Sequence, residues 1–169
     1  MCGVCGQVDL EGKTVCIKTL EKMCHILAHR GPDDEGAVVL RDGLPIELRK
    51  PLLTGLEEKG FEVGLGHRRL SIIDLSEAAQ QPMTNEDRSL WVVYNGEIYN
   101  FMEIRSDLQA KGHVFKSRSD TEVILHAYEE WGVACLERFR GMFAFGVWDS
   151  KRRTLFIARD RLGKKPLVY

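Results

Sequence analysis

The sequence predicts an α+β fold in which antiparallel sheets carry helices packed on their outer sides. Strand-like and helix-like segments come in groups joined by short turns, whereas a doubly wound parallel sheet needs strands and helices in regular alternation. The chain has 169 residues, of which 44% are hydrophobic and 29% are charged. This length and this balance supply the core of one domain and at most part of a second.

The N-terminal part of the chain is predicted to hold one helix, at residues 17–29, and three strands, at residues 3–10, 36–41 and 61–73. The helix is predicted from apolar residues at helical spacing. It ends at Arg30-Gly31-Pro32-Asp33, because glycine and proline both break helices. The polar and poorly periodic residues 45–60 indicate a surface segment of variable structure.

The C-terminal part is predicted to hold strands at residues 89–94, 142–148 and 154–158, and helices at residues 101–111, from residue 119 onwards, and at residues 134–140. Asn95-Gly96 is the strongest two-residue signal for a hairpin turn. Ser119 and Glu122 have the spacing of a capping box, in which a serine caps the helix and a glutamate follows three residues later.

Composition excludes several classes of function. The formal net charge of −1 argues against a general nucleic-acid or membrane surface. No apolar run approaches the roughly 20 residues of a membrane helix, and the N-terminus lacks a signal-peptide pattern, so we expect a cytoplasmic protein. An odd number of cysteines, five in all, argues against a disulfide framework. Buried, unpaired thiols are therefore predicted for Cys5, Cys16, Cys24 and Cys135.

Cys2 directly follows the initiator methionine. If Met1 is removed, the thiol and a free α-amine belong to the same residue, and such an amine has a pKa of roughly 7.7–8.0. The amine is then a general base for the thiol, as it is for the hydroxyl of N-terminal threonine nucleophiles. Cys2 is therefore a candidate nucleophile, although a cysteine at this position proves little by itself.

Seven short blocks of sequence follow one another along the chain. They are Met1-Cys2-Gly3-Val4, His29-Arg30-Gly31-Pro32-Asp33, Gly66-His67-Arg68-Arg69-Leu70-Ser71-Ile72-Ile73-Asp74, Asn95-Gly96-Glu97-Ile98-Tyr99-Asn100, Ser119-Asp120-Thr121-Glu122, Gly141-Met142-Phe143-Ala144-Phe145 and Arg159-Asp160-Arg161-Leu162-Gly163. In this order they resemble the class II glutamine amidotransferase domain, and the third and fourth blocks are most similar to the N-terminal, glutaminase domain of glutamine-dependent asparagine synthetases. The resemblance implies an N-terminal-nucleophile (Ntn) hydrolase-like fold over residues 2–169, a four-layer αββα sandwich with two antiparallel sheets.

The resemblance implies hydrolysis of the glutamine side-chain amide to glutamate and ammonia. Cys2 would attack the amide and form a thioester, while Asn95 and Gly96 would hold the oxyanion. Arg69 would bind the α-carboxylate of L-glutamine, and Asp120 its α-ammonium group. Further substrate contacts are implied for Leu70, Ser71, Ile72, Ile73 and Glu97. Neither a metal site nor a cofactor is implied for this domain.

The residues themselves leave other roles open. Asn95-Gly96 fits a plain hairpin turn, and Asp120 fits first-turn stabilisation of a helix, where carboxylates are favoured. Successive side chains of a strand point to opposite faces, so Arg68 and Arg69 are expected on different faces of the sheet. Arg68 is therefore predicted to be a solvated surface charge. Because a terminal amine removes the need for a histidine base, structural or surface roles are predicted for His29, His67, His113 and His126.

An asparagine synthetase needs more than these residues. The sequence has neither a Ser-Gly-Gly-x-Asp-Ser loop nor a Gly-x-x-x-x-Gly-Lys loop for phosphates. ATP and magnesium are therefore expected only with a C-terminal synthetase domain of the full-length protein, for which a homodimer is also conceivable. The chain stops in a strand-like stretch at Tyr169, which predicts a domain that is incomplete at its C-terminal end.

Three other interpretations stay open. The same fold could deliver ammonia to a different acceptor. The Cys2-x-x-Cys5 spacing is also that of a thiol redox or metal-binding module, although no second Cys-x-x-Cys completes a zinc site. A scaffold without activity is the third, and the intact set of Cys2, Arg69, Asn95 and Asp120 argues against it.

Overall fold

A computed structural model describes residues 1–11, 14–49, 60–70 and 77–169 of the chain. Within these ranges the protein forms eight strands and three α-helices, together with three short 3-10 helices. The chain divides into two compact units, one of residues 1–71 with 80–82 and one of residues 72–79 with 83–169. Each unit holds one four-stranded antiparallel sheet, which confirms the predicted α+β class with two antiparallel sheets. None of the helices described is long and apolar enough to cross a membrane.

The first unit is a sheet with one helix against it. Its elements are β1 (Gly3–Val8), α1 (Ile17–Ile26), a 3-10 turn (Leu27–His29), β2 (Asp34–Arg41), β3 (Leu44–Arg49) and β4 (Val63–Arg69). The strand order is β1-β4-β2-β3, so β4 is a central strand and is buried along its whole length. The predicted helix and first strand are confirmed to within a few residues.

Helix α1 packs on β4 through one stripe of side chains. Ile17, Leu20 and Cys24 are its buried residues, spaced three and four apart as expected for one face of a helix. The helix lies close to the sheet at Gly66 on β4, where a Cβ atom would lie 2.4 Å from the Cys24 sulfur. A glycine at this position therefore allows the helix to lie against the sheet.

The second unit contains the other sheet and two α-helices. Its elements are a 3-10 turn (Glu77–Ala79), β5 (Met83–Thr84), β6 (Leu90–Ile98), α2 (Phe101–Ala110), α3 (Asp120–Trp131), a 3-10 helix (Gly132–Glu137), β7 (Gly141–Asp149) and β8 (Thr154–Arg159). The strand order is β5-β6-β7-β8. Apolar side chains of α3, β6 and β7 share one core with Ile104 and Leu108 of α2.

Three predictions about local structure are wrong or only partly correct. Residues 45–49, expected in an irregular surface segment, belong to β3, which pairs with β2; residues 50–59 lie outside the described part of the chain. Asn95 and Gly96 do not form a hairpin turn, because β6 continues through them to Ile98 in register with β7. Residues 134–140, expected to form a helix, are only partly helical, in the 3-10 form.

The start of α3 is held by side chains in a way that the capping-box prediction describes only in part. Ser119 is the N-cap, and its hydroxyl accepts a hydrogen bond from the Thr121 N–H at 3.1 Å. Glu122 instead accepts the backbone N–H groups of Lys116 at 2.8 Å and Ser117 at 2.7 Å. Burial raises the pKa of the Glu122 carboxyl, but hydrogen bonds from His126 and from these donors outweigh it and lower that pKa to about 2.

We expect Glu122→Gln to lower the free energy of unfolding at pH 7 by about 1–3 kcal/mol, because charge-assisted acceptance of two backbone N–H groups is lost. Since the folded-state pKa lies below the usual 4.5, this contribution is complete above about pH 4.5 and fades as the pH falls towards 2. Urea unfolding at several pH values measures it. Glu103→Gln on the exposed side of α2 is the control and is expected to change the free energy by less than about 0.5 kcal/mol.

Candidate active site

Cys2 lies one residue before β1, whose first residue pairs with Arg68 at the end of β4. The Leu70 N–H donates to the Cys2 sulfur at 3.4 Å, and the thiol lies 3.8 Å from the Leu70 carbonyl oxygen. Arg30 Nε donates to the Cys2 carbonyl at 3.1 Å. The half-buried thiol is thus fixed against the main chain of Leu70, one of the predicted substrate-contacting residues.

Arg69 is the last residue of β4 and is 7% exposed. It stands opposite Asp34 of β2, and its carbonyl accepts the Asp33 N–H at 3.1 Å. A buried guanidinium at this place, adjoining the residue that touches the Cys2 thiol, is suited to holding an anionic group. The structure thus brings Cys2, Arg69 and Leu70 together, while Ser71, Ile72 and Ile73 lie outside the described residues.

Arg68 is a buried structural residue, and the prediction of a solvated surface charge is wrong. Its guanidinium forms an ion pair with Glu35, and its Nε donates to the Gly31 carbonyl at 3.1 Å. A Cβ atom on Gly31 would lie 2.3 Å from the carbonyl carbon and oxygen of Arg68. Glycine in the His-Arg-Gly-Pro-Asp block is therefore required for the close approach of this loop to β4.

Asn95, Gly96 and Glu97 lie in the second unit, near the end of β6. Asn95 is 3% exposed, and Glu97 is exposed. Gly96 stands opposite Phe143 of β7, and a Cβ atom there would lie 2.4 Å from the Met142 carbonyl oxygen. The glycine thus serves close packing of two strands rather than the backbone of a turn.

Asp120 is the first residue of α3 and is 4% exposed. Its Oδ2 atom accepts the Tyr94 hydroxyl at 2.6 Å and the Ile98 N–H at 3.0 Å, both from β6. Burial raises the pKa of Asp120 in spite of these two hydrogen bonds. The carboxylate charge is therefore incompletely compensated within this unit, and a cationic ligand would stabilise it.

Tyr94 is the partner of Asp120 that sequence reasoning missed. It lies one residue before Asn95 on an apolar strand, and the sequence alone therefore predicts a core residue at this position. Only the pairing of β6 with the start of α3, 26 positions further along the chain, shows that its hydroxyl positions a carboxylate. The sequence offers one general indication of such a contact, namely that the hydroxyl of a buried tyrosine usually needs a hydrogen-bond partner.

The other thiols have surroundings unlike that of Cys2. The Cys5 and Cys24 sulfur atoms lie 3.5 Å apart, and this contact, together with burial, raises the pKa of Cys5. Burial raises the pKa of Cys135 to about 12. Cys16 is exposed, so the prediction of a buried thiol is wrong there. Because Cys5 faces Cys24 while Cys2 faces Leu70, this geometry does not favour a joint Cys2–Cys5 redox or metal module.

Comparison with known proteins agrees with these observations. Residues 45–169 match the family model of the glutamine amidotransferase domain. The chain is 41% identical to asparagine synthetase [glutamine-hydrolyzing] 3 of Bacillus subtilis and covers 25% of that protein. It is 37% identical to a putative asparagine synthetase [glutamine-hydrolyzing] 2 of Methanocaldococcus jannaschii, of which it covers 32%. In both cases the alignment includes the entire chain, which thus spans a quarter to a third of these relatives.

A solved structure has the same fold. Glutamine phosphoribosylpyrophosphate amidotransferase from B. subtilis superimposes with a TM-score of 0.76 over 95% of this chain and 37% of its own. The sequence identity is 21%, so the likeness concerns the architecture and leaves substrate preference aside. It supports the Ntn-type fold predicted from the sequence blocks.

Proposed function

This chain belongs to the glutamine amidotransferase domain family, and from that premise we propose that it hydrolyses the side-chain amide of glutamine to glutamate and ammonia. The observation that carries the proposal is the position of the Cys2 thiol, which lies half-buried against the main chain of Leu70. Leu70 directly follows the buried Arg69 in the sequence. Attack on a bound amino acid requires a nucleophile and a cation for the substrate carboxylate, and we propose Cys2 and Arg69 for these roles.

In the proposed reaction the Cys2 sulfur attacks the amide carbon, and the thiol proton passes to the α-amine of the same residue. The tetrahedral intermediate collapses with departure of ammonia, which takes up a proton, and leaves a thioester. Water then attacks the thioester and releases glutamate and the free thiol. The amine is available only after Met1 is removed, because the Cys2 nitrogen otherwise lies in a peptide bond.

We assign the oxyanion of both intermediates to the Asn95 side-chain amide and the Gly96 N–H. Donors placed in advance of the reaction are effective because they need no reorganisation, and losing one costs about 3–4 kcal/mol in acyl-transfer enzymes. Support comes from the burial of Asn95 and from the tight contact of Gly96 with β7. Both features fix the two groups on a rigid strand.

We assign the α-carboxylate of glutamine to Arg69 and its α-ammonium group to Asp120. Arg69 offers two parallel N–H donors to a carboxylate. Asp120 has a buried carboxylate whose Oδ2 is held by β6, and this fixed carboxylate is the proposed partner of the ammonium. Main-chain contacts from Leu70 to Ile73 and a contact from Glu97 remain part of the proposal.

The ammonia is proposed to serve a synthetase domain that converts aspartate to asparagine with ATP and magnesium in the cytoplasm. Two relatives at 41% and 37% identity bear the name of glutamine-hydrolysing asparagine synthetases, and this supports the assignment. Transfer to another acceptor is the alternative. Assaying asparagine formation by the full-length protein with glutamine, aspartate and ATP separates them, since another acceptor predicts hydrolysis without asparagine.

Labelling with a glutamine-like electrophile tests the nucleophile directly. We expect one label per chain on Cys2, confined to molecules whose mass shows that Met1 is absent, and suppressed by excess glutamine. The exposed thiol of Cys16 is the competing site, so Cys16→Ser is the control and should label as the unchanged protein does. Equal labelling of molecules that retain Met1 would contradict the role of the α-amine.

A further inference from the structure

Three potential ligand atoms converge in the second unit, on side chains that the hydrolysis of glutamine does not use. His113 Nδ1 lies 3.2 Å from His126 Nδ1, His126 Nδ1 lies 2.8 Å from Glu129 Oε2, and that oxygen lies 3.6 Å from His113 Nδ1. One nitrogen or oxygen atom of each residue thus lies within 3.6 Å of the other two. The sequence alone suggested only structural or surface histidines here.

The size of this triangle matches one face of a tetrahedral zinc site. Zinc–nitrogen and zinc–oxygen bonds of about 2.0–2.2 Å place neighbouring ligands about 3.3–3.6 Å apart. Two of the observed separations, 3.2 Å and 3.6 Å, lie within about 0.2 Å of this range. The third, 2.8 Å between His126 Nδ1 and Glu129 Oε2, is shorter because a hydrogen bond joins these two atoms. Two imidazoles and one carboxylate are also a known three-residue set for zinc that keeps a fourth position for water or a substrate.

Carboxylates lie on the far side of both imidazoles, at hydrogen-bonding distance from His113 and further away from His126. His113 Nε2 lies 3.3 Å from Glu130 Oε2, and His126 Nε2 lies 3.9 Å from carboxylate oxygens of Glu122 and Glu86. Asn85 Nδ2 donates to Glu129 Oε1 at 2.7 Å, which leaves Oε2 for the ion. A carboxylate at hydrogen-bonding distance, as Glu130 is from His113, fixes the tautomer of a metal-bound histidine and strengthens it as a ligand.

The backbone provides both rigidity and access. His126 and Glu129 are three residues apart on α3, so their side chains lie on one face of the helix. His113 lies just after the end of α2 and directly follows Gly112, which has a positive φ of +99°. The His126 side chain is 2% exposed, whereas those of His113 and Glu129 are 17% and 24% exposed, which leaves an approach for an ion.

The charge around the three atoms favours a cation. Carboxylate oxygens of Glu122, Glu129 and Glu86 lie 2.8–3.9 Å from the two ring nitrogens of His126. The same carboxylates that stabilise a proton on the imidazole stabilise a metal ion in its place, and the two compete for Nδ1.

We propose that His113, His126 and Glu129 bind one zinc ion, with a water molecule at the fourth position. The ion would join the segment after α2 to α3 and so fix the helical part of the second unit. Without it the same residues form a hydrogen-bonded network, so the proposal concerns a site that is preorganised for metal.

Zinc chloride titrated against the metal-stripped intact chain, in competition with a chromophoric chelator at pH 8, tests this. We expect one equivalent with a Kd of about 1 µM or tighter, weakened at least about 100-fold in His113→Gln and in Glu129→Gln. Glu103→Gln should bind as the unchanged chain does. Cobalt in place of zinc should give the visible spectrum of a four-coordinate ion without a thiolate charge-transfer band.

Three outcomes would overturn the proposal. They are the absence of stoichiometric binding to the unchanged chain, full binding in both ligand variants, and a thiolate band that disappears in Cys5→Ser and so places the ion at the Cys5–Cys24 pair. Circular dichroism checks that each variant is folded. If a variant is not folded, the stoichiometry and cobalt spectrum of the unchanged chain decide alone.

Discussion

Cys2→Ala is expected to lower kcat for glutamine hydrolysis by at least about 10⁴-fold, the scale on which acyl-transfer enzymes lose activity without their nucleophile. Cys5 and Cys135 do not replace it, because Cys5 faces Cys24 and the buried Cys135 has a raised pKa. Ammonia and glutamate release by protein that has lost Met1 is the measurement.

Controls separate chemistry from folding in this variant. Cys2→Ala removes the acceptor of one hydrogen bond from the half-exposed Leu70 N–H, so the free energy of unfolding should change by no more than about 1 kcal/mol. Cys16→Ser removes an exposed thiol and should retain full activity. Hydrolysis by Cys2→Ala within about tenfold of the unchanged protein would refute the thioester mechanism.

Much of the fold follows from periodicity in the sequence, and the main failure has a physical cause. Asn95-Gly96 carries the strongest local signal for a turn, yet β6 runs straight through it. Its pairing with β7 extends over nine residues, from Leu90 opposite Asp149 to Ile98 opposite Gly141. Ladder hydrogen bonds and burial over that length outweigh a local turn preference, and the glycine is needed for a close approach instead.

The candidate site residues were predicted from sequence blocks, whereas the contacts that hold them in place were not. Arg68 pairs with Glu35, and Asp120 accepts from Tyr94. Each contact joins segments more than 20 positions apart, so no periodic pattern reports it. A charged residue in a strand is predicted to be solvated unless its partner on the neighbouring strand is known. For the same reason the sequence did not predict that His113 and Glu129 lie close together.

Asp120→Asn is expected to raise KM for glutamine about 10- to 100-fold with a smaller change in kcat, since an ammonium–carboxylate contact of roughly 1.5–3 kcal/mol is lost. Stability should not fall at neutral pH. The folded-state pKa of Asp120 is raised above 3.8 by burial, so the ionised carboxylate destabilises the fold above that pKa and ceases to do so below pH 3.8. Asparagine has no such charge and still accepts the Tyr94 hydroxyl.

Tyr94→Phe is the matched variant, because it removes one donor to Asp120 and leaves the carboxylate in place. Without that donor the pKa of Asp120 should rise further, so KM should increase moderately and most strongly at acidic pH, where an unprotonated Asp120 is hardest to maintain. Asp120→Asn should show no such additional dependence. If Asp120 serves only the first turn of α3, both variants should lose stability and leave KM unchanged, and steady-state kinetics with urea unfolding distinguishes the two roles.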